Sequence, residues 1–269
     1  MKQEINLEEL KQLQIEILQS VHDFCVDHQL KYSLGFGTLI GAIRHKGYIP
    51  WDDDIDILMP RQDYEKFIDA YNHKCYKVYD YRKDAEYDMP YAKVADTRTL
   101  LKENVNMKNI GVNIDIFPID NLFDDEESSV AFLNSLTPIK VKFRMKLLRP
   151  SPKNVWWKRL AIRCSKLLVL GISLKQLADK LNKKIAENKY LYSKYVGIPA
   201  DPDPNVPNAI YPRIAFESYL LVDFEDRKFN IASGYDTILK SYYGDYMQLP
   251  PIDKRISPHT LNKVFWLNK

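Results

Sequence analysis

Asp54 and Asp56 stand two positions apart with apolar Ile55 between them, and Ile57 continues the alternation toward Pro60. In an extended strand, residues i and i+2 project from one face, so this spacing predicts two neighbouring carboxylates. Ionised acids that close repel, and a shared cation is the usual relief; all-oxygen ligands beside a phosphate favour Mg²⁺ or Mn²⁺. Such an ion neutralises phosphate oxygens as charge develops on them, which is the chemistry of phosphoryl and nucleotidyl transfer. Seventeen positions before Asp54, Gly37 and Thr38 fall where a short strand over 32–36 is predicted to give way to a helix over 38–45. A residue without Cβ lets a phosphate approach the backbone, a helix start supplies N–H donors, and Thr38 adds a hydroxyl that can also cap the helix. Arg44, His45 and Lys46 end that helix within reach of the same phosphates, and Arg44 is the stronger candidate because its guanidinium binds oxygens in pairs.

Two acids hold a catalytic ion poorly, and a hydroxyl nucleophile needs a base, so a third carboxylate is expected. Asp115 in the stretch NIDIF is the best candidate: it is a lone acid in an apolar strand, where an unpaired charge would be costly. Plainer readings exist for each residue. Asp52–Asp53–Asp54 can be a solvated acidic turn, Asp115 a strand-edge charge, and His45 a surface imidazole.

The elements that must position these groups can be read in outline. Asn6 with Glu9 three residues on is a helix start with a capping-box partner, and Leu10, Leu13, Ile17, Val21 and Phe24 follow at helical spacing. Residues 61–71 read as a helix, and 76–81, 91–95 and 112–117 as strands, which gives a mixed α/β (α+β) core of one sheet flanked by helices. From about 126 to 198, Leu/Lys/Arg-rich helical patterns form an added helical subdomain broken at Pro150 and Pro152. The division expected is a catalytic core over 1–125, a basic helical subdomain over 126–198, and a segment over 199–269 that packs back on the core. That last part begins with a Pro-rich wrapping loop, IPADPDPNVPNAIYP, and contains a helix from near Tyr235 to Gly244.

Composition narrows the setting. The chain has 269 residues, 45% of them hydrophobic, with 18 Tyr and 11 Phe, enough apolar surface to exclude a disordered chain. Three widely spaced Cys, at 25, 75 and 164, give neither a disulfide framework nor a zinc motif. The opening MKQEINLEELKQLQ carries charges where a secretion signal needs an apolar run, and no stretch approaches the ~18 apolar residues of a spanning helix, so a cytoplasmic location is expected. The net charge of +3 hides an asymmetry: residues 128–178 hold eleven Lys/Arg and no Asp or Glu. Within 140–166 these cations interleave with Trp156, Trp157 and several leucines. That surface can rest on the inner face of an anionic membrane, or it can be an ordinary helical layer with a solvated charged side; without an RNA-binding motif, nucleic acid is the least favoured partner.

At these residues the sequence resembles the LicD family, bacterial phosphocholine transferases of the nucleotidyltransferase-fold superfamily related to fukutin and fukutin-related protein. The block GTLIGAIRHKGYIPWDDDIDI carries the likeness, with NIDIFPID, AKVADTRT and the tail YYGDYMQLPP followed by Arg255 and His259 similar to later blocks. The resemblance implies a nucleotidyltransferase-like mixed sheet in which Gly37–Thr38 takes the place of a Gly-[Gly/Ser] turn, Asp54 and Asp56 are the metal-binding acids, and Asp115 is the third. It implies a CDP-linked donor held through Mg²⁺: CDP-choline in LicD relatives, which give phosphocholine to a glycan hydroxyl and release CMP, and CDP-ribitol in fukutin-type relatives. Lys93, Arg255 and His259 would surround the donor by the same resemblance. The acceptor would be a cell-surface glycan or teichoic-acid precursor, lipid-linked in some cases. Two alternatives stand beside this one: a nucleotidyltransferase that attaches NMP and releases pyrophosphate, and a metal- or nucleotide-binding module without turnover.

Overall fold

Asn6 begins the first helix as its sequence predicts, its side chain accepting the Glu9 N–H at 2.9 Å. Glu9 does not close a capping box; its carboxylate instead takes the indole N–H of Trp266, from the far end of the described chain. The computed structural model describes residues 3–85, 87–103, 105, 108–150, 155–188, 192–204, 209–256 and 263–267. In chain order the elements are α1 (Leu7–Asp27), β1 (Ser33–Leu34), α2 (Phe36–Ile40), β2 (Asp56–Pro60), α3 (Arg61–Ala70), β3 (Tyr76–Tyr79), β4 (Ala92–Asp96), β5 (Thr99–Lys102) and β6 (Asn113–Asn121). Then follow α4 (Glu126–Leu147), α5 (Trp156–Leu167), α6 (Leu174–Ala186), β7 (Tyr195–Gly197), β8 (Ile210–Pro212), β9 (Tyr219–Phe224), β10 (Arg227–Ala232), α7 (Tyr235–Tyr243) and β11 (Lys263–Trp266).

The architecture is the mixed α/β arrangement the alternation predicts. Seven strands form one sheet in the order β1-β2-β6-β4-β3, with β7 joining β6 and β8 joining β7. Among the described residues only β2 and β6 run parallel; α3 and the antiparallel strands β3 and β4 come between them in the chain. Apolar residues on the strands, among them Ile57, Val94, Ile114 and Ile116, are fully buried, and the same core takes in α1, α4, α6 and α7. β7 lies within the stretch read as helical, so that stretch also feeds the main sheet.

Two ribbons steady the edges. β9 and β10 form a hairpin beside β1, where Ser33 Oγ accepts the Ala232 N–H at 2.8 Å. β11 pairs with β5, and Ile5 donates to Val264, so the two ends of the described chain lie together. Against the sequence reading, the helix predicted over 38–45 starts two residues earlier, at Phe36 with Gly35 in the cap position, and ends in a π-helical turn over Gly41–His45. Thr38 is therefore inside the helix rather than capping it. α7 stops where expected, at Gly244, which has φ +66°.

Candidate active site

Parallel pairing sets Asp56 of β2 directly beside Asp115 of β6, and antiparallel pairing sets Lys93 of β4 on the other side of Asp115. Asp56, Asp115 and Lys93 thus form a file across three adjacent strands, on one face and spaced by roughly 4.8 Å. Asp54 precedes the strand proper, on the lead-in whose Ile55 carbonyl accepts the Asp115 N–H at 2.9 Å. Asp54 and Asp115 meet in a cavity of about 80 Å³ lined also by Asp53, Lys93, Glu103, Asn113, Gln14, Leu10 and Leu101.

Lys93 is the positive member of the file. Its ammonium lies 2.8 Å from Asp115 Oδ1, 3.1 Å from Asn113 Oδ1 and 3.8 Å from Glu103. Burial works against its charge, but Asp115 and Glu103 outweigh that and hold its pKa above the ordinary lysine value. Asp56 has the opposite balance. Withdrawal from solvent, then the like charges of Asp54, Asp115 and Asp52, push its carboxyl well above the usual carboxylate range, and Lys93 pulls back only in part. Among the described residues, no three His, Cys, Asp or Glu side chains are already drawn together as a ligand cage. The surplus of negative charge around Asp56 is nevertheless of the kind a divalent cation offsets, and the donors are all oxygens.

Side chains from α1 and α2 hold this lead-in. Thr38 Oγ1 accepts the Asp56 N–H at 2.9 Å, fixing the start of β2, while its own hydrogen remains a donor. Gln14 of α1 donates to the carbonyls of Asp53 and Asn113, stapling the lead-in to β6. A Cβ on Gly37 would lie 2.7 Å from Asp52 Oδ2, so glycine there makes room for an acid rather than for backbone freedom. The hairpin turn between β9 and β10 braces the preceding loop: Glu225 accepts the Tyr48 N–H at 2.8 Å and its own N–H donates to the Lys46 carbonyl.

Beyond the file the same face turns aromatic. Tyr91 stacks on Phe117 at 4.1 Å, Phe36 meets Phe117 edge-on at 5.3 Å and Tyr242 at 5.5 Å, and Tyr243 adjoins Tyr242. Phe36 reaches this position with φ +44°, a left-handed backbone that a bulky side chain rarely adopts. Asp201, from the Pro-rich loop, has its carboxyl pushed up to about 6 by burial and lies within the field of Asp115; Tyr91, Tyr211 and Tyr242 in turn feel Asp201.

A cationic cluster gathers around Trp51. Arg44 donates to His45 Nε2 and to the Tyr246 carbonyl, and Arg255 covers the Trp51 ring at 5.5 Å. Burial and then the nearby Arg255 charge lower the Arg44 pKa, and burial followed by Arg44 lowers that of His45. Two guanidinia drawn together in this way suit an anion between them. His259 lies outside the described residues. Gln14, Asn113, Glu103 and Asp201 are not singled out by the sequence, and Asp52 is read there only as part of an acidic turn. Only the DPDP run around Asp201, acids alternating with prolines, carried a local signal.

A family model for the LicD/FKTN/FKRP nucleotidyltransferase domain matches residues 29–156, the stretch that contains the file, Gly37, Thr38 and Arg44. The lipopolysaccharide cholinephosphotransferase LicD of Haemophilus influenzae is 31% identical over 271 aligned positions, covering 98% of this chain and 99% of that protein. Shorter stretches of uncharacterised proteins from Rickettsia typhi (30% over 66 residues, 23% of this chain and 21% of that one) and Rickettsia prowazekii (40% over 48 residues, 18% of each) also match. Likeness that runs from one end of the chain to the other, over a sheet that sets the acids in register, places this protein in the LicD family of nucleotidyltransferase-fold transferases.

Proposed function

We propose that the protein transfers a phospho-alcohol group, phosphocholine, from a CDP-linked donor to a hydroxyl of a cell-surface glycan or teichoic-acid precursor and releases CMP. The observation that carries the reading is the Asp56–Asp115–Lys93 file, its first strand held by Thr38 of α2. The acceptor oxygen attacks the phosphorus that bears the alcohol, a new P–O bond forms, the bond to CMP breaks, and the acceptor's proton passes to a carboxylate. Lys93 engages Asp115 at Oδ1, so we assign proton acceptance to Oδ2 of the same carboxylate. Asp54 and Asp56 would hold Mg²⁺ or Mn²⁺, with Asp115 beside them free to take the proton. Bound there, the ion would supply neutralising charge to the diphosphate. Arg44 and Arg255 grip phosphate oxygens of the donor, and Thr38 keeps Asp56 in place.

Phosphocholine is favoured over an uncharged alcohol on two grounds. The Haemophilus relative is named for it, and the half-buried rings of Phe36 and Tyr242, the latter in the field of Asp201, suit a quaternary ammonium. Other aromatics near the site are already covered by cations of this chain, Tyr48 by Lys11 and Trp51 by Arg255. The test is to incubate the purified protein and a glycan acceptor with CDP-choline, CDP-ribitol or CTP, in Mg²⁺, Mn²⁺ or EDTA, and to identify the small product. CMP from CDP-choline in the metal-containing reactions supports the reading. Pyrophosphate from CTP, or CMP released equally in EDTA, overturns it.

A further inference from the structure

α5 is packed the wrong way round for a helix of a soluble layer. At 100° per residue, Trp156, Trp157, Leu160 and Leu167 fall on one stripe. That stripe points outward: Trp156 is 75% exposed and Trp157 59%, and no residue of α5 is buried. The opposite side, with Ile162, Ser165 and Lys166 half-buried, faces the protein, and buried Val169 follows it. Leu168 and Leu170, in the turn after the helix, are 74% and 69% exposed, which extends the apolar surface. Exposed Arg159 and Arg163 flank it and exposed Lys158 stands farther round the helix, in a stretch from 128 to 178 that contains no Asp or Glu. Large apolar side chains left in water at this density mark a contact surface.

We infer that α5 and the following turn lie in the surface of an anionic lipid bilayer, with the two tryptophans and the leucines among the acyl chains and the cations at the headgroups. Charge selects this occupant. A second copy seated on the same face would bring two cationic stripes together with no acid in either stretch to pair them. Nucleic acid would match the cations but leave Leu160, Leu167, Leu168 and Leu170 without an apolar partner. No helix among the described residues is long and apolar enough to cross a membrane, so the contact is a helix lying flat. Such a helix would hold the enzyme where lipid-linked acceptors are, whichever group it transfers.

Co-sedimentation of the whole protein with vesicles tests this. Vesicles of phosphatidylcholine containing about a third phosphatidylglycerol should bind it at least ~25-fold more tightly than phosphatidylcholine alone, at roughly fivefold for each of the two flanking arginines, and about 0.5 M salt should remove most of the difference. W156A/W157A should weaken binding about tenfold or more, and R159E/R163E should abolish the preference for anionic vesicles, both with an unchanged Tm because these side chains face outward. Four results overturn the inference: equal binding to both vesicle types; tighter binding to a single-stranded oligonucleotide than to vesicles; a dimer, seen by light scattering, that W156A/W157A dissociates; or unfolding of W156A/W157A, which would mean that the stripe is packed. The salt titration uses the unaltered protein and stands even if a variant misfolds.

Discussion

Replacing Lys93 by Met removes the ammonium that touches Asp115 but keeps most of the side chain's volume, so the change is electrostatic rather than a cavity. Breaking a buried pair by deleting one partner costs about 3–5 kcal/mol, because the remaining charge is left uncompensated. The Asp115 side chain is 18% exposed, toward the small acidic cavity, which softens the penalty to the lower end, about 3 kcal/mol. For a chain of 269 residues that corresponds to a fall in Tm of about 5 °C. The sign with pH follows from Asp56. Its folded pKa already lies above the unfolded value, and loss of Lys93, which now lowers it, raises it further. The folded variant then binds more protons than the unfolded chain, so its stability rises as pH falls and the deficit shrinks on acidification, as compared at about pH 7.5 and pH 5. Thermal melts of wild type, K93M, D115N and K93M/D115N, followed by circular dichroism at both pH values, measure this. The double variant should recover at least half of the K93M loss. A loss in K93M below about 1 kcal/mol, the same loss at both pH values, or strict additivity of the two substitutions would refute the electrostatic account of the file.

Three further outcomes are expected. T38V keeps the shape of the side chain but leaves the Asp56 N–H without its acceptor, which should cost about 1–3 kcal/mol and lower kcat about tenfold with little change in KM, while T38S should behave as wild type in initial-rate assays. R44Q and R255Q should each raise the KM for the CDP-linked donor about tenfold, measured at saturating acceptor; a fall in kcat with KM unchanged would remove both from the donor site. The Asp201 carboxyl, pushed up to about 6 from 3.8 by burial, contributes stability while protonated, fully below about pH 4, and loses it as pH rises through about 6. D201N should therefore flatten the Tm profile between those values and be about 1 kcal/mol more stable than wild type at pH 7.5; an unchanged slope would show that Asp201 does not titrate there.

Much of the sheet was legible because strands buried on one face alternate strictly. The pattern Asp54-Ile55-Asp56-Ile57 and its counterpart Asn113-Ile114-Asp115-Ile116 announced two strands with acids facing the same way. What alternation cannot specify is which strand lies beside which. Asp56 and Asp115 are 59 positions apart and become neighbours through a parallel pairing set by the whole sheet, and Lys93 reaches Asp115 only because β4 pairs with β6. The resemblance placed Lys93 around the site; the strand register is what seats it against Asp115. Gln14 looked like one more polar residue of an amphipathic helix, since nothing local shows that its amide reaches two carbonyls far away in the chain. The start of α2 was misread because propensity favours a hydroxyl cap, whereas the chain turns through Phe36 in a conformation ordinarily left to glycine.

That backbone at Phe36 sets two pressures on a single position. Glycine there would relieve a conformational cost of about 1–3 kcal/mol, yet it would also erase the ring that Phe117 and Tyr242 lean on. Losing that ring forfeits a packing free energy of at least comparable size, so the left-handed phenylalanine is held in place by the neighbours it packs against.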